Sequence, residues 1–394
     1  MDVIVIGGGV AGAASAIALR RIGAQVTVYE AHADPAGQVG SFLSLASNGL
    51  RGLDALGCLE AVRQAGFAVP DQRMWAGSGK LLGEVPRGRR SNDPTLSTTL
   101  MRGHLVEALR EHAQRAGARI VTGRRLVGAT PVGHGVRAEF ADGSSEHADL
   151  LVGADGLWST TRSILDPDTP RPVYAGLYSV SGIAEGVPAA PGTFNMVFAR
   201  NGAFLHVPAP DGTVWWSAQV ADRRQPDLTG VDNDQWLHRL ADLYRFERQP
   251  HAIIQATTRL HRPTLMHTLA TVPTWHNDHI VLVGDAAHPV GAGQGASMAI
   301  EDAVTLAQTL AKAPTTGAAL ADYDRLRRAR VGKMAKTAAG NRDAKTTGPI
   351  KRRLNDLIMP IVFRHFFDRA TAWLYTHDLG TLPTPTQDTR LPRP

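Results

Sequence analysis

His279 to Ala303, HIVLVGDAAHPVGAGQGASMAIEDA, sets an acid at the end of an apolar run and three glycines just beyond it. Asp285 follows Gly284 where a strand should stop. Gly291, Gly293 and Gly295, with Gln294 among them, precede a helix opening near Ala296 and Ser297. A carboxylate in that position can accept hydrogen bonds from hydroxyl groups. Glycines let the backbone run against a flat ligand that side chains would meet. A helix start aims free N–H groups and positive partial charge at an anion. A second such place is Gly7-Gly8-Gly9-Val10-Ala11-Gly12, a G-x-G-x-x-G between a strand and a helix. Gly7 permits the tight turn, Gly9 the approach of a pyrophosphate and Gly12 close helix–strand packing. Val10 and Ala11 lie in the first helical turn, whose N–H groups face the phosphates. Glu30 closes the next strand, where a carboxylate can hold ribose hydroxyls. A third place is Leu151-Val152-Gly153-Ala154-Asp155-Gly156, followed by Ser159 and Arg162. It delivers another acid onto a glycine turn; the plain alternative is a surface turn capped by Asp155.

The elements that must hold these residues are legible in the periodicity. Residues 2–6, 10–21 and 25–29 form a strand–helix–strand unit of the length a nucleotide-binding fold requires. Helices are expected at 45–65 and 102–117, and strands near 119–130, 136–141 and 147–153. From about 172 to 275 the texture changes. Runs at 174–183, 193–199, 203–207 and 214–220 read as strands separated by turns, with a helix at 235–244. Such a meander predicts an antiparallel sheet. The parallel pattern returns with a strand at 279–283 and helices at 296–311, 318–339 and 350–377. The expected fold class is α/β with an α+β insert: a Rossmann-like domain interrupted by a sheet domain, then C-terminal helices. The discontinuous nucleotide-binding domain takes 1–72, 97–171 and 279–345. The sheet domain takes 73–96 and 172–278, and a C-terminal helix and tail take 346–394.

The 394 residues are 43% hydrophobic, enough for a large core, and no apolar run reaches the length of a membrane span. Without a basic, then apolar, leader the expected location is the cytoplasm. A single cysteine, Cys58, excludes an internal disulfide and reads as a small apolar filler in a helix. The net charge is +6, much of it in 325–353. That segment lacks the aromatics or reader motif of a nucleic-acid binder, so a solvated helix face is expected. No metal site is expected.

The motifs taken together resemble the class A flavoprotein monooxygenases, the p-hydroxybenzoate hydroxylase-like family. The resemblance rests on G-x-G-x-x-G with Glu30, on G-A-D-G-x-x-S-x-x-R at 153–162, and on V-G-D-A-A-H-P with G-Q-G-A and A-I-E-D-A at 283–303. The helix start at Arg102, with Leu105 and Leu109, is similar to the family's R-x-x-L-x-x-x-L. The likeness runs over nearly the whole chain and implies a compact member without a C-terminal thioredoxin-like domain. It implies non-covalent FAD, with NADH or NADPH as transient co-substrate and O2 as oxidant. The oxygen passes through a flavin C4a-hydroperoxide to hydroxylate an aromatic or polycyclic substrate. Asp285 would accept from the ribitol chain and Gly284 leave room for the diphosphate. The loop with Gly293, Gln294 and Gly295 would run along the flavin ring, and the helix start at Ala296 and Ser297 would face it. Arg102 would lie near the diphosphate or flavin edge. Asp155 and Arg162 would act through the second turn. Other readings are an oxidase or reductase of the same fold, or a non-catalytic flavin-binding protein. The partners implied are a small molecule and O2, in a monomer or homodimer.

One departure concerns the flavin-positioning loop, Pro289, Gly291 and Gly293. It is two residues shorter than the family's H-P-M-x-P-x-x-G-Q-G and lacks the second proline. The chemistry needs no nucleophile, but a base would help a phenolic substrate. His206, on an expected strand, is the candidate. Phe194, Met196, Phe198, Phe204, Trp215 and Trp216 alternate along strands. One parity should line a pocket and the other pack away from it.

Overall fold

The computed structural model describes residues 1–34, 41–290, 293–345 and 349–382. At its centre is a five-stranded parallel sheet: β1 (Asp2–Ile6), β2 (Gln25–Tyr29), β8 (Arg119–Val121), β12 (Leu150–Gly153) and β18 (Ile280–Leu282), in the order β18-β12-β1-β2-β8. β1, β12 and β18 are short apolar runs, almost wholly buried, as strands covered on both faces must be. Helix α1 (Val10–Arg21) is rich in alanine and packs closely on α8 (Gly295–Lys312). Small side chains allow that approach.

β3 (Phe42–Leu45), β4 (Phe67–Val69) and β7 (Ser97–Met101) form a small sheet beside this core. β9 (Leu126–Val132), β10 (Gly135–Phe140) and β11 (Ser145–Ala148) form another. The large sheet has seven strands: β5 (Asp71–Ala76), β6 (Leu81–Pro86), β13 (Val173–Ala184), β14 (Thr193–Ala199), β15 (Gly202–Pro208), β16 (Val214–Ala221) and β17 (Thr257–Thr268), in the order β17-β13-β16-β15-β14-β5-β6. Its back face is covered by α6 (Asn233–Leu243) and α7 (Arg248–Gln255), through Trp236, Leu240, Ile253 and Ile254.

Several expectations are corrected. The sheet is mixed, because β5 pairs with β14 in parallel. The edge strand β17 and helix α7 escaped the sequence reading, since Thr257–Thr268 is polar on both faces. The helix expected at 45–65 is a strand end followed by α2 (Ser47–Ala55) and α3 (Leu59–Gln64). They are separated at Gly57, whose φ of 74° is left-handed. Cys58 is buried at the N-cap of α3, and burial pushes its thiol up to about 12. α4 (Arg102–Arg115), α5 (Thr160–Leu165) and α9 (Thr316–Lys345) complete the central region. The helix expected at 350–377 is two: α10 (Pro349–His365) and α11 (Phe367–Tyr375).

The basic segment is not simply a solvated face. Arg327 on α9 is 1% exposed and reaches Glu301 at 2.7 Å and Asp302 at 2.6 Å, both on α8. Arg330 meets Glu301 at 2.6 Å. These arginines bind two helices together through the core.

Candidate cofactor and substrate site

The glycine turns meet at the carboxyl ends of β1, β12 and β18, where open α/β sheets bind ligands. Gly7 has φ 102°, and a Cβ there would lie 2.5 Å from the Ala154 carbonyl oxygen. At Gly12 a Cβ would sit 1.8 Å from the Gly7 carbonyl oxygen, so helix and turn touch. At Gly9 a Cβ would meet nothing within 4 Å. The first and last glycines serve the fold; the middle one faces open space. Gly284, at φ 59°, packs on the side chains of Ala11 and Ala299, so its lack of a side chain serves helix packing. Gly293, at φ 85°, has open space around it.

The acids differ in what they hold. Glu30 is buried; it accepts from Gly8 N–H at 2.7 Å and His32 N–H at 2.8 Å, tying the glycine loop to β2. Asp155 accepts from Ser159 Oγ at 2.5 Å, Thr161 N–H at 2.9 Å and Thr161 Oγ1 at 3.0 Å. It therefore caps the entry to α5, with Ser159 itself accepting from Arg162 N–H at 2.8 Å. Arg162, 2% exposed, donates to the Ala286 carbonyl at 2.9 Å and the Leu157 carbonyl at 2.8 Å. It staples the second turn to the third.

Asp285 is crowded by protein yet open to solvent, as a carboxylate on a cleft wall is. Burial raises its carboxyl, and His288 and Arg102 oppose that rise. A Cβ on Gly295 would stand 3.6 Å from Asp285 Oδ1, which places this acid at the start of α8. Ser297 comes so close to α2 that a Cβ on Gly49 would be 2.4 Å from its Oγ. Arg102 N–H donates to the Ser41 carbonyl at 3.2 Å. Three buried oxygens, Ser41 Oγ, Gln294 Oε1 and Ser297 Oγ, have no partner among the described residues. Buried polar atoms normally find partners. An open glycine, an exposed acid and buried oxygens without partners among the described residues, two of them at a helix start, fit a large polyhydroxylated, anionic ligand such as FAD. Ala296 and Pro289 are partly buried beside this helix start; Gly291 lies outside the described residues.

The sequence reading missed the support behind the turn. Asp302 accepts from Gly284 N–H at 2.7 Å, from His288 Nε2 at 2.6 Å and from Arg327. Burial would raise its carboxyl, but His288 and Arg327 outweigh burial and hold it low. The signal was present: adjacent acids at 301 and 302 inside an apolar helix require buried cations.

The front of the large sheet faces β3 and β4 with an aromatic wall. Phe42 lies 6.3 Å from Phe194 and 6.1 Å from Trp215, and Phe67 lies 5.2 Å from Trp215. Phe204 and Trp216 stack at 5.5 Å on the back face, under α6 and α7. Phe198 packs toward Met359 and Phe363 of α10, and Met196 is partly buried. His206 takes the back-face parity. It is fully buried, 6.3 Å from Phe204, and burial lowers its imidazole to about 4. This overturns it as a candidate base, because a histidine on that parity cannot face a ligand at the front. The pairing register Leu205–Ser217–Ser181–His261 instead brings His261 to the front face. Its Nε2 is buried without a partner among the described residues, as is Gln219 Oε1. Burial, with Arg259 nearby, lowers the His261 imidazole.

The protein family described as FAD binding domain matches residues 1–338. The chain belongs to this family, within the class A flavoprotein monooxygenases, and is an FAD-dependent monooxygenase. It is 31% identical over 337 residues to the aurachin C monooxygenase/isomerase of Stigmatella aurantiaca, covering 83% of this chain and 85% of that protein. It is 31% identical over 392 residues to the 3-amino-4-hydroxybenzoate 2-monooxygenase of Streptomyces platensis, covering 95% of each. In fold it is similar to Klebsiella pneumoniae HpxO complexed with FAD and uric acid: TM-score 0.82 and 23% identity, over 95% of this chain and 96% of that one. Among the described residues no helix is long and apolar enough to cross a membrane.

Proposed function

We propose that the protein inserts one oxygen atom from O2 into a small aromatic molecule, with NADH or NADPH as reductant and FAD held without a covalent bond. The observation that carries the reading is the aromatic wall of Phe42, Phe67, Phe194 and Trp215, whose Phe42 pairs across β3 and β7 with Met101, the neighbour of the Arg102 whose charge bears on Asp285. Bound FAD would supply the redox chemistry, taking a hydride from the nicotinamide and activating O2. The chain supplies placement. Gly9 admits the diphosphate, Glu30 shapes the adenosine end, and Asp285 accepts from ribitol hydroxyls. Arg102 offsets the diphosphate charge, and Asp155 and Arg162 support the turns from behind. The first turn of α8, with Gln294, Gly295, Ala296 and Ser297, offers N–H groups and positive partial charge to the ring's polar edge. The aromatic wall excludes water and holds the substrate ring. His261, kept neutral by burial, accepts the proton of a phenolic hydroxyl at Nε2.

The strands and helices at 1–72, 97–171 and 279–345 act as the nucleotide-binding part. Residues 73–96 and 172–278 act as the substrate part, and 346–394 as a C-terminal addition. Known relatives are named for aromatic substrates, among them a 3-hydroxybenzoate 6-hydroxylase and a salicylate hydroxylase. The test uses FAD-loaded protein with each nicotinamide and a panel of phenols and aromatic acids. NAD(P)H oxidation should accelerate with at least one compound and yield a product heavier by one oxygen. Replacement of Asp285 by Ala should weaken FAD binding about 10- to 100-fold, the equivalent of one lost charged hydrogen bond. Flavin reduction by a substrate without nicotinamide would replace this reading with an oxidase.

A further inference from the structure

α10 is apolar on two sides. On its inner side Met359 and Phe363, with Phe367 at the start of α11, pack on Met74, Leu82 and Val85, and Phe198 joins them. The seat is tight: a Cβ on Gly83 would stand 2.7 Å from the Cβ of Phe363. Phe198 shares one face of β14 with Phe194 of the aromatic wall, so α10 covers one end of the front of the large sheet.

Among the described residues nothing covers the outer side. Leu354, Leu357, Ile358, Ile361, Val362 and Phe366 recur at intervals of three and four residues, a single stripe along the helix and just past its end. All six are exposed, Leu357 at 68% and Ile361 at 58%. Single exposed aliphatic side chains are ordinary on a protein surface, but a continuous stripe marks a contact surface.

The charges beside the stripe favour an anionic lipid surface as the contact. α10 and α11 carry five Lys or Arg residues against two aspartates, in a chain of net charge +6. Arg364 and His365 follow Ile361 by three and four residues, at the edge of the stripe, and both are exposed, as is Arg369. Asp368 accepts from Ser91 Oγ, so this acid is engaged within the protein. Exposed Lys333 of α9 lies 4.3 Å from the centre of the Trp373 ring of α11 and adds a cation on this side. Two copies pressed stripe to stripe would set like charges against each other. An anionic lipid layer supplies the opposite charge, with an apolar layer directly beneath it.

We propose that α10 is a monotopic anchor, seated in the headgroup layer of a membrane rich in anionic phospholipid. The aliphatic stripe enters the acyl boundary. Arg364 and Arg369 stay level with the phosphates, their stems along the apolar layer. Because the inner side of the same helix covers one end of the aromatic-walled sheet, the anchor holds that end of the sheet domain against the bilayer.

The experiment floats FAD-loaded wild type with vesicles of phosphatidylcholine alone and of phosphatidylcholine mixed with phosphatidylglycerol. Two double variants accompany it. Leu357→Gln/Ile361→Gln makes the stripe polar, and Arg364→Gln/Arg369→Gln removes cations beside it. All four side chains are exposed, and equal FAD content with an equal unfolding midpoint reports intact folding. Wild type should float with the mixed vesicles and stay behind with phosphatidylcholine alone. The arginine variant should bind the mixed vesicles about 10- to 30-fold more weakly, from roughly fivefold for each cation near an anionic surface. The aliphatic variant should bind them about tenfold more weakly or worse. The proposal is overturned if wild type stays behind with both vesicles or floats equally with both. It is also overturned if the aliphatic variant floats as wild type does, since that is the diffuse attraction of any basic protein. A wild type that self-associates without lipid and turns monomeric in the aliphatic variant would give the stripe to a second copy and overturn it as well.

Discussion

His288 Nε2 donates to Asp302 at 2.6 Å, and the same carboxylate holds Gly284 N–H at 2.7 Å. The turn that presents Asp285 is thus fixed from behind by an acid one helix away. Asp302 is in turn held by Arg327, which also binds Glu301. Of the two acids that bear on this turn, Asp285 is exposed and Asp302 is fully buried.

The cluster makes stability depend on pH. Burial alone would raise the Glu301 carboxyl, but Arg330 and Arg327 outweigh it and hold it at about 2, below its ordinary 4.5. A depressed carboxyl contributes stability above its unfolded value and loses it as pH falls toward its folded value. The loss should therefore run from about pH 5 to pH 2, amounting to roughly 3 kcal/mol for this group. Urea unfolding across that range should show it. Glu301→Gln should be less stable at neutral pH by about 3–5 kcal/mol, because Arg327 and Arg330 lose a buried partner. Its stability should also fall less steeply with acid. An unchanged slope would show that Glu301 is not the group titrating.

The sequence made the glycine turns and their acids visible because each obeys a local rule. Strand, glycine and acid lie within a few residues, and Gly7, Gly12 and Asp285 need nothing distant to be noticed. Partnerships set by tertiary packing were not legible. Arg327 looked like one more surface cation, and only the approach of α9 to α8 gives it Asp302. Phe204 and Trp215 belong to one alternating set in the sequence, yet which parity packs under helices and which faces β3 and β4 is decided by where α6 and α7 dock.

His206 yields a separate prediction. Burial holds its imidazole at about 4, against the ordinary 6.5. The unfolded chain takes up this proton first, so stability is whole above about pH 6.5 and is lost as pH falls toward 4, by roughly 3 kcal/mol. His206→Leu, close in volume and under the same helices, should remove that loss. Its pH–rate profile should match wild type, since the side chain lies on the face away from the aromatic wall. A shifted profile would return His206 to the chemistry.

Gly9 and Gly12 separate what the fold needs from what the ligand needs. A methyl group on Gly12 would stand 1.8 Å from the Gly7 carbonyl oxygen, and that oxygen belongs to backbone that cannot swing aside. Gly12→Ala should therefore force α1 away from β1 and destabilise the protein by several kcal/mol, at the upper end for single substitutions. Gly9 has φ −78° and ψ −165°, an extended conformation open to alanine, and a methyl there would touch nothing within 4 Å. Gly9→Ala should leave the unfolding midpoint of the FAD-free protein within about 0.5 kcal/mol of wild type. If the diphosphate runs past Gly9, the same methyl should weaken FAD binding about tenfold or more by holding the phosphates off the N–H groups of α1. Denaturant unfolding without FAD and a fluorescence titration with FAD measure the two effects independently. A Gly9→Ala protein that binds FAD as wild type does would place the diphosphate elsewhere, whatever the stability of Gly12→Ala.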